Sequence, residues 1–385
     1  MHWTSCVGIA LAALPVLIWV YLLCARGAFW RVKPHLPPEF SNSGSPKTVS
    51  VVIPARNEAD VIAETVTSLL TQNFEGSSHV YVVDDGSTDA TAEQAIGAAL
   101  KMERRDAITV VKAAPLPGGW TGKMWAVSQG VEKAGAEAPD FLLLTDADIQ
   151  HEPHSIATLI AIAEHGRFDM VSFMVKLRCE TFAERALIPA FVFFFFLLYP
   201  PVWIRNAKRK TAGAAGGCIL IRPAILREAG GIEAIRDEVI DDCALARWVK
   251  RAGGRIWLGL AEDARSTRSY RSFREIEKMI SRTAFRQLDH SGLLLLGTLG
   301  GLLITYMLPL LLSFSGQRVY AAMGVTAWAL MTAAYLPMVR FYRKSFLWAA
   351  ALPAIAVFYA AATLHSAFKY WMGRGGEWKG RAQDM

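Results

Sequence analysis

The chain has 385 residues, 53% of them hydrophobic, and a formal net charge of +7. That length holds one sizeable α/β domain and several membrane segments, while the apolar fraction excludes an ordinary soluble enzyme. The basic residues lie beside apolar runs, which points to anionic headgroups at a membrane surface and away from nucleic acid.

From Trp3 to Ala25 there is no charged residue, enough to cross a bilayer as a helix. No basic segment precedes this run, so a retained anchor is favoured over a cleaved signal peptide. Arg26, Arg31 and Lys33 follow it and put the next residues in the cytoplasm by the positive-inside bias. Residues 34–47, containing Pro and Ser, read as a linker.

Strands then alternate with helices. Val49–Ile53, His79–Val83, Ile108–Val111 and Phe141–Leu144 are short buried-type strands. Val61, Ile62, Val66, Leu69 and Leu70 recur at helical spacing. Such alternation predicts an α/β fold with a mainly parallel sheet, whose ligands gather at the carboxyl ends of the strands. Ala186–Ile204 is uncharged and contains four consecutive phenylalanines. A span there would divide the acidic motifs between the two sides of the membrane, so a re-entrant or interfacial segment is expected, with a buried core helix as the alternative. Arg205, Lys208, Arg209 and Lys210 follow it and are placed to meet lipid headgroups. Three further apolar stretches, at about 293–314, 319–339 and 346–364, occupy the C-terminal third. Cys6, Cys24, Cys179, Cys218 and Cys243 show no CxxC pair or zinc spacing and read as reduced packing residues.

Three acidic clusters carry the chemistry. Asp84-Asp85-Gly86-Ser87-Thr88-Asp89 ends a strand, where carboxylates can accept hydrogen bonds from a base or ribose, or cap the next helix. Asp146-Ala147-Asp148 follows the strand Phe141–Leu144; two carboxylates one residue apart suit Mg²⁺ or Mn²⁺ bridging a diphosphate. Asp241-Asp242 opens an amphipathic helix, either favouring its dipole or supplying a general base near the metal. The loop Pro117-Gly118-Gly119-Trp120-Thr121-Gly122-Lys123 leads into a helix whose free amides suit an anion. It lacks the GxxxxGK[ST] spacing of a P-loop ATPase.

In this order the residues resemble glycosyltransferase family 2, of the GT-A fold, over roughly Thr48 to Ile256. The Val52-Ile53-Pro54-Ala55-Arg56-Asn57-Glu58 run resembles that family's first nucleotide-contacting loop. More closely, the PGGWTGKMWA loop, the TDADIQH run, the Phe-rich insertion and Ile280-Ser281-Arg282-Thr283-Ala284-Phe285 are similar to the hopene-associated glycosyltransferases of hopanoid biosynthesis. The resemblance implies nucleotide-sugar contacts from Pro54, Arg56, Glu58, Asp84, Asp85, Lys123 and Asp146, and a metal on Asp148 and Asp146. It implies Asp242 as the catalytic base, with Asp241 beside it. The acceptor side would be shaped by Trp120, Gly216 and Gly217, with Arg205 and Lys208 toward the lipid. The implied domains are an anchor (residues 1–33), a catalytic domain (48–290) with a membrane-interfacial insertion at about 186–210, and a C-terminal transmembrane region with a basic tail (291–385).

The expected activity is inverting transfer of one sugar, from a UDP-linked donor by family habit, to a lipid, for which the resemblance implies a hopanoid. The QxxRW element of processive synthases is absent, its region reading Met279-Ile280-Ser281-Arg282-Thr283, so a polymer product is not expected. The alternatives are a polyprenyl-phosphate glycosyltransferase and a non-catalytic membrane scaffold in lipid synthesis. The expected location is the cytoplasmic membrane, with several passes and a cytoplasmic catalytic domain.

Overall fold

A computed structural model describes residues 2–32, 46–373, 377–378 and 381–382. Lys33, Arg374, Lys379, the Arg381 side chain and all of the expected linker except Pro46 and Lys47 lie outside the described residues.

In chain order, α1 (His2–Ala25) precedes β1 (Lys47–Ala55), α2 (Ile62–Leu70), β2 (Gly76–Asp84) and α3 (Thr91–Lys101). Next come β3 (Ile108–Lys112), α4 (Gly122–Gly135), β4 (Phe141–Thr145), β5 (Ile149–His151), α5 (Ser155–Gly166) and β6 (Met170–Lys176). After α6 (Phe182–Leu198) and α7 (Pro201–Arg205) the sheet resumes with β7 (Cys218–Ile221), α8 (Pro223–Glu228), α9 (Asp241–Arg251) and β8 (Ile256–Ser266). The last part holds α10 (Phe273–Ser281), α11 (Gly292–Leu302), α12 (Leu308–Ser313), α13 (Arg318–Phe341), α14 (Leu347–Ala350) and α15 (Leu352–Trp371).

These elements form two units. One is built from residues 46–178 and 203–269 and contains the sheet; the other contains 2–32, 179–202 and the helices from Tyr270 onward.

The sheet has eight strands in the order β3-β2-β1-β4-β7-β6-β8-β5. Strands β3, β2, β1 and β4 run parallel, as expected from the βα alternation. Beyond β4 the sheet is mixed: β7 is antiparallel to both β4 and β6, β8 is parallel to β6, and β5 is antiparallel to β8. A sheet covered on both faces needs near-continuous apolar strands. Val51, Ile53, Val82, Leu143 and Phe173 accordingly are buried in one core. A Cβ at Gly130 would lie 2.4 Å from Val52 Cγ1, so only glycine lets α4 press this closely on β1. That contact fixes the helix whose first turn carries Lys123.

In the helical unit, the segment between β6 and β7 opens with α6, begun by a capping box between Thr181 and Glu184. The Glu184 carboxylate is fully buried and accepts backbone N–H groups of Glu180 (2.7 Å), Thr181 (2.9 Å) and Tyr270 (2.7 Å). Phe193 packs on Tyr335 and Phe194 on Tyr359, with ring centroids 5.0 and 4.8 Å apart. Tyr359 donates its hydroxyl to the Leu187 carbonyl at 2.9 Å. By length and composition, four helical stretches among the described residues can cross a membrane: Gly8–Ala25, Phe182–Arg205, Gly292–Ser313 and Arg318–Phe341. The expected stretch at 346–364 is divided between α14 and α15 and is not one of the four.

Candidate active site

Strand ends deliver the site. The backbone N–H of Asp85 bonds to the Ala55 carbonyl at 2.9 Å, bringing the loops after β1 and β2 side by side. Asn57 adopts the left-handed conformation (φ 52°), donates its N–H to Ser87 Oγ at 3.0 Å and accepts from the Thr88 N–H at 2.8 Å. Asn visits this region readily because its short side chain can hydrogen-bond locally. Arg56 donates to the Asp85 carbonyl and lies 3.7 Å from the Asp85 carboxylate. Asp84 accepts from the Ser87 N–H at 2.9 Å, closing the turn. Asp89 accepts the N–H of Thr91, the first residue of α3, at 3.1 Å.

Helix α4 begins at a Thr121 cap, whose hydroxyl accepts from the Met124 N–H. The Thr121 N–H bonds to the Arg236 carbonyl at 2.7 Å, placing the glycine-rich loop against the segment that precedes α9. From there Lys123 reaches both acidic pairs: its Nζ is 3.0 Å from Asp146 Oδ1 and 3.0 Å from Asp241 Oδ2. Burial disfavours its charge, but the two carboxylates outweigh that and raise its pKa, so the ammonium stays charged. Burial, opposed by Lys123, raises Asp146.

Asp242 sits one residue into α9. Its carboxylate accepts the N–H of Gly216 at 2.8 Å and its neighbour Cys243's at 2.7 Å. Burial first, and the Asp241 charge second, push its pKa up to about 6. The Gly216 loop is in turn anchored: Ala215 N–H bonds to Ser172 Oγ at 2.8 Å, and Thr145 Oγ1 donates to the Gly217 carbonyl at 2.8 Å. Lys250, further along α9, donates to the carbonyls of Ile204 and Thr211, each at 2.7 Å.

One cavity is lined by Pro54, Lys123, Asp146, Gly216, Asp241 and Asp242. The structure thus brings together the second and third acidic stretches, through Asp146, Asp241 and Asp242, but not the first. Arg56, Asp84 and Asp85 belong to the laced loops after β1 and β2, and Asp85 is buried. Gly217 faces the core, where an added Cβ would meet Val175 at 3.2 Å. Trp120 packs edge-on against Trp125, with centroids 5.1 Å apart, and does not line the cavity. Arg205 and Lys208 are exposed and also lie outside it.

Asp148 does not line this cavity, although its charge acts on Asp146. Its Oδ2 accepts from Ser266 Oγ at 2.8 Å and from Arg268 Nε at 3.0 Å, while Arg268 Nη2 reaches Glu58 Oε1 at 2.9 Å. Sequence reading missed Ser266 and Arg268. Nothing in the local pattern marks them; they arrive through the antiparallel register of β5 with β8, which pairs Ile149 with Ser266.

Whether a divalent cation fits can be judged from the donors. Asp146 and Asp148 offer hard oxygen atoms, and the chain already places a cation on each, Lys123 and Arg268 respectively. A site built to hold positive charge fits Mg²⁺ or Mn²⁺ chemically. Among the described residues no three His, Cys, Asp or Glu side chains converge as a metal cage.

Comparison with solved structures gives the fold class. The chain is similar to mannosyltransferase PcManGT from Pyrobaculum calidifontis, in a structure with GDP-Man and Mn²⁺. The likeness covers 94% of this chain and 98% of that one, at a TM-score of 0.57 and 17% identity. Residues 50–230 match the family described as Glycosyl transferase family 2. Residues 50–230 are thus similar to glycosyltransferase family 2, and the fold is GT-A-like. Among curated proteins it is similar to the undecaprenyl-phosphate 4-deoxy-4-formamido-L-arabinose transferase of Yersinia enterocolitica. That match is 33% identical over 34% of this chain and 38% of the relative. The Pseudomonas fluorescens enzyme of the same name is 29% identical over 45% of each chain. The chain spans less than half the length of these curated relatives.

Proposed function

We propose that this protein transfers a single sugar from a nucleotide sugar to a lipid acceptor at the cytoplasmic face of a membrane, with inversion at the anomeric carbon. The observation that carries this reading is the shared cavity of Lys123, Asp146, Asp241 and Asp242, which sets a carboxylate raised to about 6 beside a phosphate-type cation. Pro54, Arg56, Glu58, Asp84 and Asp85 hold the nucleoside in this reading, and Lys123 and Asp146 the diphosphate and sugar. A divalent cation on Asp146 and Asp148 would neutralise the charge growing on the leaving diphosphate.

The curated relatives support a polyprenyl phosphate as the acceptor. None of the relatives reported above carries a hopanoid name. A phosphate oxygen is already anionic and attacks without help from a base, and the exposed Arg205, Lys208, Arg209 and Lys210 suit a phosphate headgroup. A second reading, an acceptor with a hydroxyl such as a hopanoid, is favoured by Asp242. In it the carboxylate takes the hydroxyl proton as the oxygen attacks the anomeric carbon from the face opposite the nucleotide. In both readings the reaction ends after one sugar.

The test is a transfer assay with the purified full chain in lipid nanodiscs, supplying UDP- and GDP-sugars with either undecaprenyl phosphate or a hydroxylated hopanoid. Mass spectrometry of the lipids identifies the acceptor by the gain of one sugar, and NMR of the product gives its anomeric configuration. Failure of every donor with both acceptors would refute the proposal, as would retention of configuration.

A further inference from the structure

We infer that Arg268 is a resident counter-cation of the donor site, holding Asp148 until a divalent cation takes its place, and so sets the affinity for that metal. This rests on the metal role proposed for Asp148. The guanidinium spans two carboxylates from separate parts of the chain, Asp148 after β4 (Nε to Oδ2, 3.0 Å) and Glu58 after β1 (Nη2 to Oε1, 2.9 Å). Asp148 itself is fixed. Its carbonyl accepts from Thr267 N–H at 2.9 Å and Thr267 Oγ1 at 3.1 Å, and Ser266 Oγ holds the carboxylate at 2.8 Å.

Exposure tells which partner moves. The side chains of Asp148 and Glu58 are 10% and 12% exposed, whereas that of Arg268 is 35% exposed. Arg268 therefore approaches from the solvent side on a long flexible stem, and can withdraw without opening the core. The carboxylates cannot follow it. A divalent cation on Asp148 would meet the guanidinium at the same oxygen, and two cations in one partly desolvated place repel strongly. Metal and Arg268 are thus competitors for Asp148. Departure of Arg268 also releases Glu58, which lies in the loop proposed to hold the nucleoside. Metal arrival and the loss of the Arg268–Glu58 ion pair become one event.

The experiment measures binding of Mn²⁺ alone to the full chain in nanodiscs, from the EPR signal of the free ion, with no donor present. R268Q keeps side-chain length and hydrogen-bonding capacity but removes the charge. It should bind Mn²⁺ about tenfold more tightly than the parent protein, the equivalent of one partly exposed charge pair. R268K keeps the charge but reaches only one carboxylate, and should shift affinity the same way by about threefold. It provides the readout if R268Q does not fold. Unchanged or weaker Mn²⁺ binding in these variants, with the parent protein binding normally, overturns the inference and leaves the metal role of Asp148 intact. Absence of Mn²⁺ binding from parent and variants alike overturns both.

Discussion

Gly216 donates its backbone N–H to the Asp242 carboxylate over 2.8 Å, and a Cβ on Gly216 would stand 3.4 Å from that same oxygen. The loop both orients the proposed base and leaves space above it. If the acceptor attacks through a hydroxyl, Asp242→Asn should lower turnover by about a thousandfold, the usual contribution of a general base. Donor affinity should stay nearly unchanged, because the amide keeps an oxygen for Gly216. Turnover and nucleotide binding measured side by side check this. Retained turnover with undecaprenyl phosphate would instead select the phosphate acceptor.

The pH profile carries its own sign. Burial and Asp241 raise Asp242 to about 6. A base must be ionised, so with a hydroxyl acceptor kcat/KM should be level above that value and fall as pH drops through about 6. The acidic limb should vanish from the residual activity of Asp242→Asn. A profile unchanged in that variant assigns the limb to another group.

Lys123 joins Asp146 to Asp241, and its loss leaves two carboxylates facing each other across a cavity. Lys123→Met should raise KM for the donor by tenfold or more, since the diphosphate loses a cation. The folded state should lose roughly 1–2 kcal/mol, less than a fully buried pair because Asp146 is 35% exposed. Donor titration and thermal unfolding read the two effects separately.

Glu184 ties the start of α6 to Tyr270 through three backbone N–H groups. Replacing it by Ala removes the acceptor of three part-buried N–H groups, at a cost of about 3 kcal/mol. Glu184→Ala should lower the thermal midpoint of the helical unit. Nucleotide binding, measured below that transition, should persist.

Chelation offers a direct check on Asp148. EDTA should abolish transfer and Mn²⁺ should restore it in the parent protein, while Asp148→Ala should respond to neither. Residual transfer that is equal with EDTA and with Mn²⁺ in the parent would remove the metal from the reaction.

Much of the sheet was legible because its first four strands are apolar, short and separated by amphipathic helices. Val51, Val52 and Ile53, apolar on alternating sides, announce a strand covered on both faces, and the observed β1 is one. The mixed half was not legible. Strand β7 enters between β4 and β6 only after the chain has made the α6–α7 excursion, and no local pattern encodes a reversed insertion. The motif order singles out Pro54, Lys123, Asp146, Gly216, Asp241 and Asp242, which line one cavity, and also Asp85 and Asp148, which do not. It could not anticipate Arg268, whose partners Asp148 and Glu58 are reached through strand register, nor that Trp120 and Gly217 would turn away.

The excursion has a consequence for biogenesis. Helix α6 emerges from the ribosome soon after β6, yet Tyr306, Tyr335 and Tyr359, the rings that cover Phe193 and Phe194, are translated last. The sheet can finish closing once β8 is made, while the phenylalanine face is still waiting. A nascent chain in that interval displays a sticky aromatic stripe that lipid or a chaperone must shelter. Translation stalled between β8 and α13 should therefore yield the most aggregation-prone form of this protein.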